Sequence, residues 1–142
     1  MKEVYVVYWS GTGNTQAMAE AVGAGIEAAG GTAKVLDVSD ASAADLKEAA
    51  AFALGCPSMG AEELDPDMDT FVTEIEAFAG GKTVGLFGSY DWGDGEWMRL
   101  WTERMQGAGA NVAGGEGVIA NLTPDDAAIA ACKQLGEALA KA

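Results

Sequence analysis

Five short strand-like runs alternate with five segments of helical spacing along this chain, and that alternation restricts the possible folds more than any other feature. The runs are residues 4–9, 34–38, 50–56, 84–88 and 111–120. The helical segments are 17–29, 43–49, 67–78, 96–107 and 127–140. Strands joined through helices run parallel, because a crossover helix returns the chain to the same end of the sheet. Val4-Tyr5-Val6-Val7-Tyr8-Trp9 is apolar throughout, as suits a strand covered on both faces. Right-handed crossovers leave few topologies, and ligands in such folds bind beyond the carboxyl ends of the strands where strand order reverses. The loops at those ends are residues 10–15, 57–66 and 89–95, chemically the most unusual in the chain.

The helices carry one apolar face each. Met18, Val22, Gly25, Ile26 and Ala29 form the first. Met68, Phe71, Val72, Ile75 and Phe78 form another, and Ile129, Cys132, Leu135 and Leu139 the last. Trp97, Trp101 and Met105, spaced i, i+4 and i+8, read as core. Pro124 suits the first position of the closing helix. The glycine-interrupted run 111–120 belongs near a sheet edge, where weak pairing is tolerated.

At 142 residues, 1–142 is expected to form one domain. The net charge is −14, from 22 acidic and 8 basic residues. That balance argues against nucleic-acid and anionic-membrane binding and favours a basic partner. No basic residue lies between Lys47 and Lys82, while Glu62, Glu63, Asp65, Asp67, Asp69, Glu74 and Glu76 do. These acids form either a solvated face or a recognition surface. The chain has no histidine, which removes the usual general base and the histidine triads. Two distant cysteines, Cys56 and Cys132, suit reduced thiols. With no leader-like segment and no run of 18 apolar residues, the expectation is a cytoplasmic protein.

The first loop is Ser10-Gly11-Thr12-Gly13-Asn14-Thr15. A loop between a strand and a helix N-terminus aims unpaired backbone N–H groups and the positive end of a helix dipole at one point, which suits phosphate. The dinucleotide fingerprint would need glycine at Gln16. Gly81-Lys82-Thr83 lacks the upstream glycine of a nucleotide-triphosphate loop, since Glu76 stands there. Residues 10–15 are therefore either an anchor for a phosphate held by hydroxyls and amides or an ordinary turn with a helix cap. The second loop carries Ser58, Met59, Gly60, Ala61 and Glu62. The third carries Ser89, Tyr90, Asp91, Trp92, Gly93 and Asp94. Together they describe a ligand with a phosphate at 10–15 and a planar ring between Met59 and Trp92. With no nucleophile–base pair in the protein, the reactive group belongs to the ligand.

Tyr8-Trp9-Ser10-Gly11-Thr12-Gly13-Asn14-Thr15, Leu54-Gly55-Cys56-Pro57-Ser58-Met59-Gly60 and the run from Gly85 to Met98 resemble, in this order, the short-chain flavodoxins of clostridia and related anaerobes. The resemblance covers the whole chain. It implies an α/β fold of three layers, helices on both faces of a doubly wound sheet of five parallel strands in the order 2-1-3-4-5. It implies noncovalent FMN and single-electron shuttling between redox enzymes, cycling mainly between semiquinone and hydroquinone, by an electron-transfer protein with no turnover of its own. The FMN phosphate would sit on Ser10, Gly11, Thr12, Gly13, Asn14 and Thr15. Met59 would cover one ring face and Trp92 the other. The backbone of the 89–92 loop would serve the pyrimidine edge, Glu62 would accept from the ring N3–H, and the Gly60–Ala61 peptide would flip with redox state.

Two residues depart from the family pattern. Asp91 stands where glycine is common, and either adds negative charge near the ring or points into solvent. Ala61 stands where Asp or Asn occurs, and alanine is less at ease with positive φ. Acids at 62–69 and Asp94 would steer basic partners into transient, salt-sensitive complexes with a monomer. The alternative is a flavodoxin-like quinone or NAD(P)H reductase, but such enzymes carry insertions that this chain lacks. A receiver domain would need acids where Trp9-Ser10 and Cys56-Pro57 stand.

Overall fold

A computed structural model describes residues 3–11, 13–59, 62–91 and 93–142. Its strands are β1 (Glu3–Tyr8), β2 (Thr32–Asp37), β3 (Ala51–Gly55), β4 (Thr83–Tyr90), β5 (Asn111–Val112) and β6 (Val118–Asn121). Its helices are α1 (Asn14–Ala28), α2 (Ala43–Leu46), α3 (Pro66–Glu76), α4 (Glu96–Gly107) and α5 (Asp126–Lys141). All strand pairs are parallel, in the order β2-β1-β3-β4-β5, with β6 also pairing β4. This is the expected order 2-1-3-4-5.

The expected run 111–120 is two strands in one lane. β5 pairs with Thr83 and Val84, and β6 pairs with Phe87 through Tyr90. Between them the chain leaves the sheet through Gly114 and Gly115, whose φ values are 79° and 85°. It then passes so close to α4 that any side chain on Gly117 would overlap Met98. The glycines thus end one short pairing and permit the next.

Alternate strand residues feed two cores. Val4, Val6, Ala51, Ala53 and Phe87 pack with Met18, Val22 and Ile26 of α1 and Leu135 and Leu139 of α5. Val7, Phe52, Leu54, Val84 and Leu86 pack with Met68, Val72 and Ile75 of α3 and Trp97, Trp101 and Met105 of α4. The expected helix-core reading of Trp97, Trp101 and Met105 therefore holds. Helices α1 and α5 meet backbone to backbone. A methyl on Gly25 would overlap the Lys133 carbonyl, and one on Gly136 would overlap the Val22 carbonyl.

Several acids have structural work. Asp65, 7% exposed, caps α3 by accepting from the N–H groups of Asp67 (2.9 Å) and Met68 (3.4 Å), with Pro66 in the first turn. Asp125 caps α5 by accepting from Ala128 N–H at 2.8 Å, so Pro124 stands before the cap and not in the first helical position. Arg104 joins α4 to α3 through Asp69 and Glu76, with N–O separations of 2.6 and 2.8 Å. Lys82 donates to the carbonyls of Lys47 (2.8 Å) and Ala49 (2.6 Å), which gives it a structural tie remote from any phosphate loop.

Candidate functional site

Strand order reverses between β1 and β3, and the loops leaving these strands diverge there. The Trp9 N–H donates to the Gly55 carbonyl at 3.0 Å, locking the two strand ends together. Ser10 then turns its hydroxyl inward, where Oγ accepts from Gly13 N–H (3.0 Å) and Gln16 N–H (3.3 Å). Gly13 occupies the N-cap position of α1 with φ 95°, a conformation that glycine adopts without steric cost. The first turn of α1 contains no acid. Gly11 lies under the Trp9 ring, where an added Cβ would be 3.1 Å from the indole. Thr15, 1% exposed, is engaged with β4: its Oγ1 lies 3.0 Å from Ser89 Oγ and accepts from Ser89 N–H at 3.3 Å.

The second loop is held to the third. Ser58 N–H donates to the Ser89 carbonyl at 3.0 Å. Met59 and Glu63 exchange two backbone hydrogen bonds, of 2.9 and 3.1 Å, closing a three-residue turn. Its third residue, Glu62, has φ 56°, the left-handed position such turns use. The carboxylate of Glu62 then presses on Gly93, where a Cβ would lie 2.5 Å from its carboxyl carbon. Gly93 itself has φ 88°. Glu62 Oε1 is buried and has no hydrogen-bond partner among the described residues.

The third loop starts later than the sequence suggests, because Ser89 and Tyr90 belong to β4. The Tyr90 ring lies 5.6 Å from that of Trp97, whose Nε1–H donates to the Cys56 carbonyl at 3.1 Å. The far side is clamped by residues the sequence reading left out of the site. Leu122 N–H donates to the Tyr90 carbonyl at 2.8 Å. Asn121 Nδ2–H donates to the carbonyls of Tyr90 (3.2 Å) and Asp91 (3.3 Å).

These ends enclose a cleft of about 220 Å³ lined by Trp9, Gly11, Asn14, Pro57, Ser58, Met59, Ser89, Tyr90, Asp91 and Leu122. Of the residues singled out from the sequence, Gly11, Asn14, Ser58, Met59, Ser89, Tyr90 and Asp91 line this one cleft. Ser10 and Gly13 shape the first loop, Thr15 lies buried on Ser89, and Glu62 meets Gly93. Thr12, Gly60, Ala61 and Trp92 lie outside the described residues. Trp9, Pro57 and Leu122 were missed as lining. The signal for Leu122 was topological, since β6 runs in register with β4 and sets Asn121 beside Tyr90.

Electrostatics at the mouth are mixed. Carboxylate oxygens of Glu62, Asp94 and Glu96 lie within 4.8 Å of one another. Arg99 offsets part of that charge, with Nη2 3.0 Å from Asp94 Oδ1 and Nη1–H donating to the Asp94 carbonyl at 3.1 Å. That bond to Asp94 holds the guanidinium above its ordinary pKa. Burial pushes the Cys56 and Cys132 thiols up to about 12, so neither offers a thiolate at neutral pH.

The residues present fit FMN. The first loop offers amides and a hydroxyl at a helix N-terminus free of acids in its first turn. The cleft has an indole, a thioether and a phenol on its walls, and Glu62 holds a buried acceptor with no donor among the described residues. Comparison with known proteins agrees. Residues 6–135 match the family model described as Flavodoxin. The chain is 47% identical to a flavodoxin of Megasphaera elsdenii over 98% of its own length and 99% of that protein. It is 44% identical to one of Clostridium beijerinckii over 86% and 88%. The solution structure of two-electron reduced Megasphaera elsdenii flavodoxin superposes with a TM-score of 0.86, covering 98% of this chain and 99% of that one, at 46% identity. The cleft at the reversal of strand order and the match along nearly the whole chain agree: this chain belongs to the flavodoxin family, proteins that carry FMN and pass electrons.

Proposed function

We propose that this chain holds FMN with its phosphate on Ser10 to Thr15 and its ring against the 58–62 and 89–94 loops. As a flavodoxin it is an FMN-binding electron carrier that serves redox partners, and not an enzyme. FMN supplies the redox chemistry, exchanging electrons one at a time. The chain binds, orients and tunes it. The N-terminal end of α1 and the Ser10 hydroxyl are suited to the phosphate. Met59 and Trp92 are assigned to the ring faces, and excluding water there disfavours added negative charge. Gly60 and Ala61 are assigned to the backbone beside the ring on the sequence resemblance alone. Ser89, Tyr90, Asp91, Gly93 and Asp94 provide the far wall.

The observation that carries the reading is Glu62. A side chain in left-handed backbone is held against Gly93 with one carboxylate oxygen buried and without a hydrogen-bond partner among the described residues, which suits a ligand N–H. Glu62→Gln keeps an acceptor and removes the charge. We expect FMN affinity to fall and the second one-electron potential to rise by about 0.5–1 kcal/mol, roughly 20–45 mV for one electron. Fluorescence titration and potentiometry measure both, and no change in either removes Glu62 from the site. Asp91 is exposed on the cleft wall. Asp91→Asn is expected to raise the same potential by less than Glu62→Gln does, because solvent screens it. An equal or larger shift contradicts that placement.

Docking follows from charge. Glu63, Asp67 and Glu74 remain exposed after Asp65, Asp69 and Glu76 are assigned to capping and Arg104. They favour basic faces on transient partners of a monomer, in complexes that weaken with salt. A cytoplasmic setting goes with two free, buried cysteines. Among the described residues, no helix is long and apolar enough to cross a membrane.

A further inference from the structure

Among the described residues, the non-glycine positions with positive φ are Glu62 and Leu122, each at 56°. Side chains adopt that region reluctantly, and a branched apolar one has no local hydrogen bond to compensate. Glu62 holds its carboxylate against Gly93, whereas Leu122 lines the cleft. The Leu122 side chain has no role in the turn or the core: it joins neither apolar cluster, and the residue is 50% exposed.

The backbone conformation of Leu122 is imposed from outside the residue. Register pairs Asn121 with Tyr90, and the Leu122 N–H is tied to the Tyr90 carbonyl at 2.8 Å. The Asn121 amide bonds the Tyr90 and Asp91 carbonyls beside it. Such a position suits glycine or asparagine. Leucine instead lines the cleft, along with Trp9, Met59 and Tyr90. Conformational strain concentrated at a ligand cleft points from the outlier to a role in binding.

We infer that Leu122 is a cofactor-contacting residue, an apolar wall whose exposed half is covered by the bound flavin. The inference rests on the FMN reading above. Covering half a leucine side chain contributes to affinity by the ordinary hydrophobic effect, and the gain offsets the backbone strain only in the loaded protein.

The test uses the full chain, its apoprotein, and the variants Leu122→Asn and Leu122→Gly. Asparagine tolerates the left-handed region and glycine adopts it freely, so both relieve the backbone while removing the apolar wall. Thermal unfolding of apoprotein and fluorescence titration with FMN and with riboflavin are the readouts. We expect both variants to bind FMN about 3- to 10-fold more weakly. Riboflavin affinity falls by the same factor, since the contact is remote from the phosphate. The apoprotein midpoint of Leu122→Asn stays unchanged or rises. Variants that bind FMN as tightly as the parent overturn the inference, and so does an affinity loss accompanied by a lower apoprotein midpoint in Leu122→Asn. A parent chain that binds no FMN overturns the cofactor reading together with this one.

Discussion

Replacing Gly136 by alanine lowers the stability of the apoprotein by about 1–3 kcal/mol, even though alanine gains about 1 kcal/mol over glycine in helix propensity. The reason is the direct contact of α1 and α5. A methyl on Gly136 would overlap the Val22 carbonyl and come within 2.9 Å of the Ile26 nitrogen. Gly25 is the reciprocal position, facing the Lys133 carbonyl. The obstacle is backbone on both sides, so no rotamer change relieves it. The helices must separate, which also lifts Met18, Val22 and Ile26 from the sheet. Once they have separated, the second methyl adds little. Denaturant unfolding of Gly25→Ala, Gly136→Ala and the double variant should give a double loss well below the sum. Full additivity, or a stabilised Gly136→Ala, would show that the helices are not in contact there.

Removing the phosphate from the ligand produces the other large effect. We expect riboflavin to bind at least about 100-fold more weakly than FMN, as the loss of two or more charge-assisted hydrogen bonds of about 1.5–3 kcal/mol each implies. The loop has no lysine or arginine, so with the phosphate on residues 10–15 as proposed, its binding would depend on amides, the Ser10 hydroxyl and the α1 dipole. FMN is an anion and the chain carries −14, so added salt should tighten binding by screening the repulsion. Riboflavin, which is uncharged, should show little salt dependence. Equal affinities for the two ligands would place the phosphate away from residues 10–15.

Most of the fold is legible in the sequence because parallel sheets leave a strong imprint. Runs such as Val4 to Trp9 are apolar on both faces, and glycines and prolines punctuate the elements between them. The split of the last strand was harder to read. Gly114, Gly115 and Gly117 marked an interruption, but only pairing with β4 shows that β5 and β6 share one lane. The places of Asn121 and Leu122 follow from that split, since their position beside Tyr90 depends on register. The acidic run 62–76 was ambiguous for a different reason. Composition cannot distinguish an acid that caps a helix, as Asp65 does, from one left in solvent, as Glu63 is. The expectation for Ala61 lies outside the described residues, while Glu62, two residues past Gly60, has left-handed backbone. Turn length decides this: the exchange of hydrogen bonds between Met59 and Glu63 makes Glu62 the third loop residue.

The central claim is that the cleft at the ends of β1, β3, β4 and β6 holds one FMN and separates its two one-electron steps. Anaerobic titration of the FMN-loaded chain with dithionite, followed by visible absorbance, tests it most directly. The account predicts one FMN per chain, released intact on denaturation, and a long-wavelength absorbance that rises with the first electron and falls with the second. A chain that retains no FMN, or one that bleaches in a single two-electron step, would contradict it.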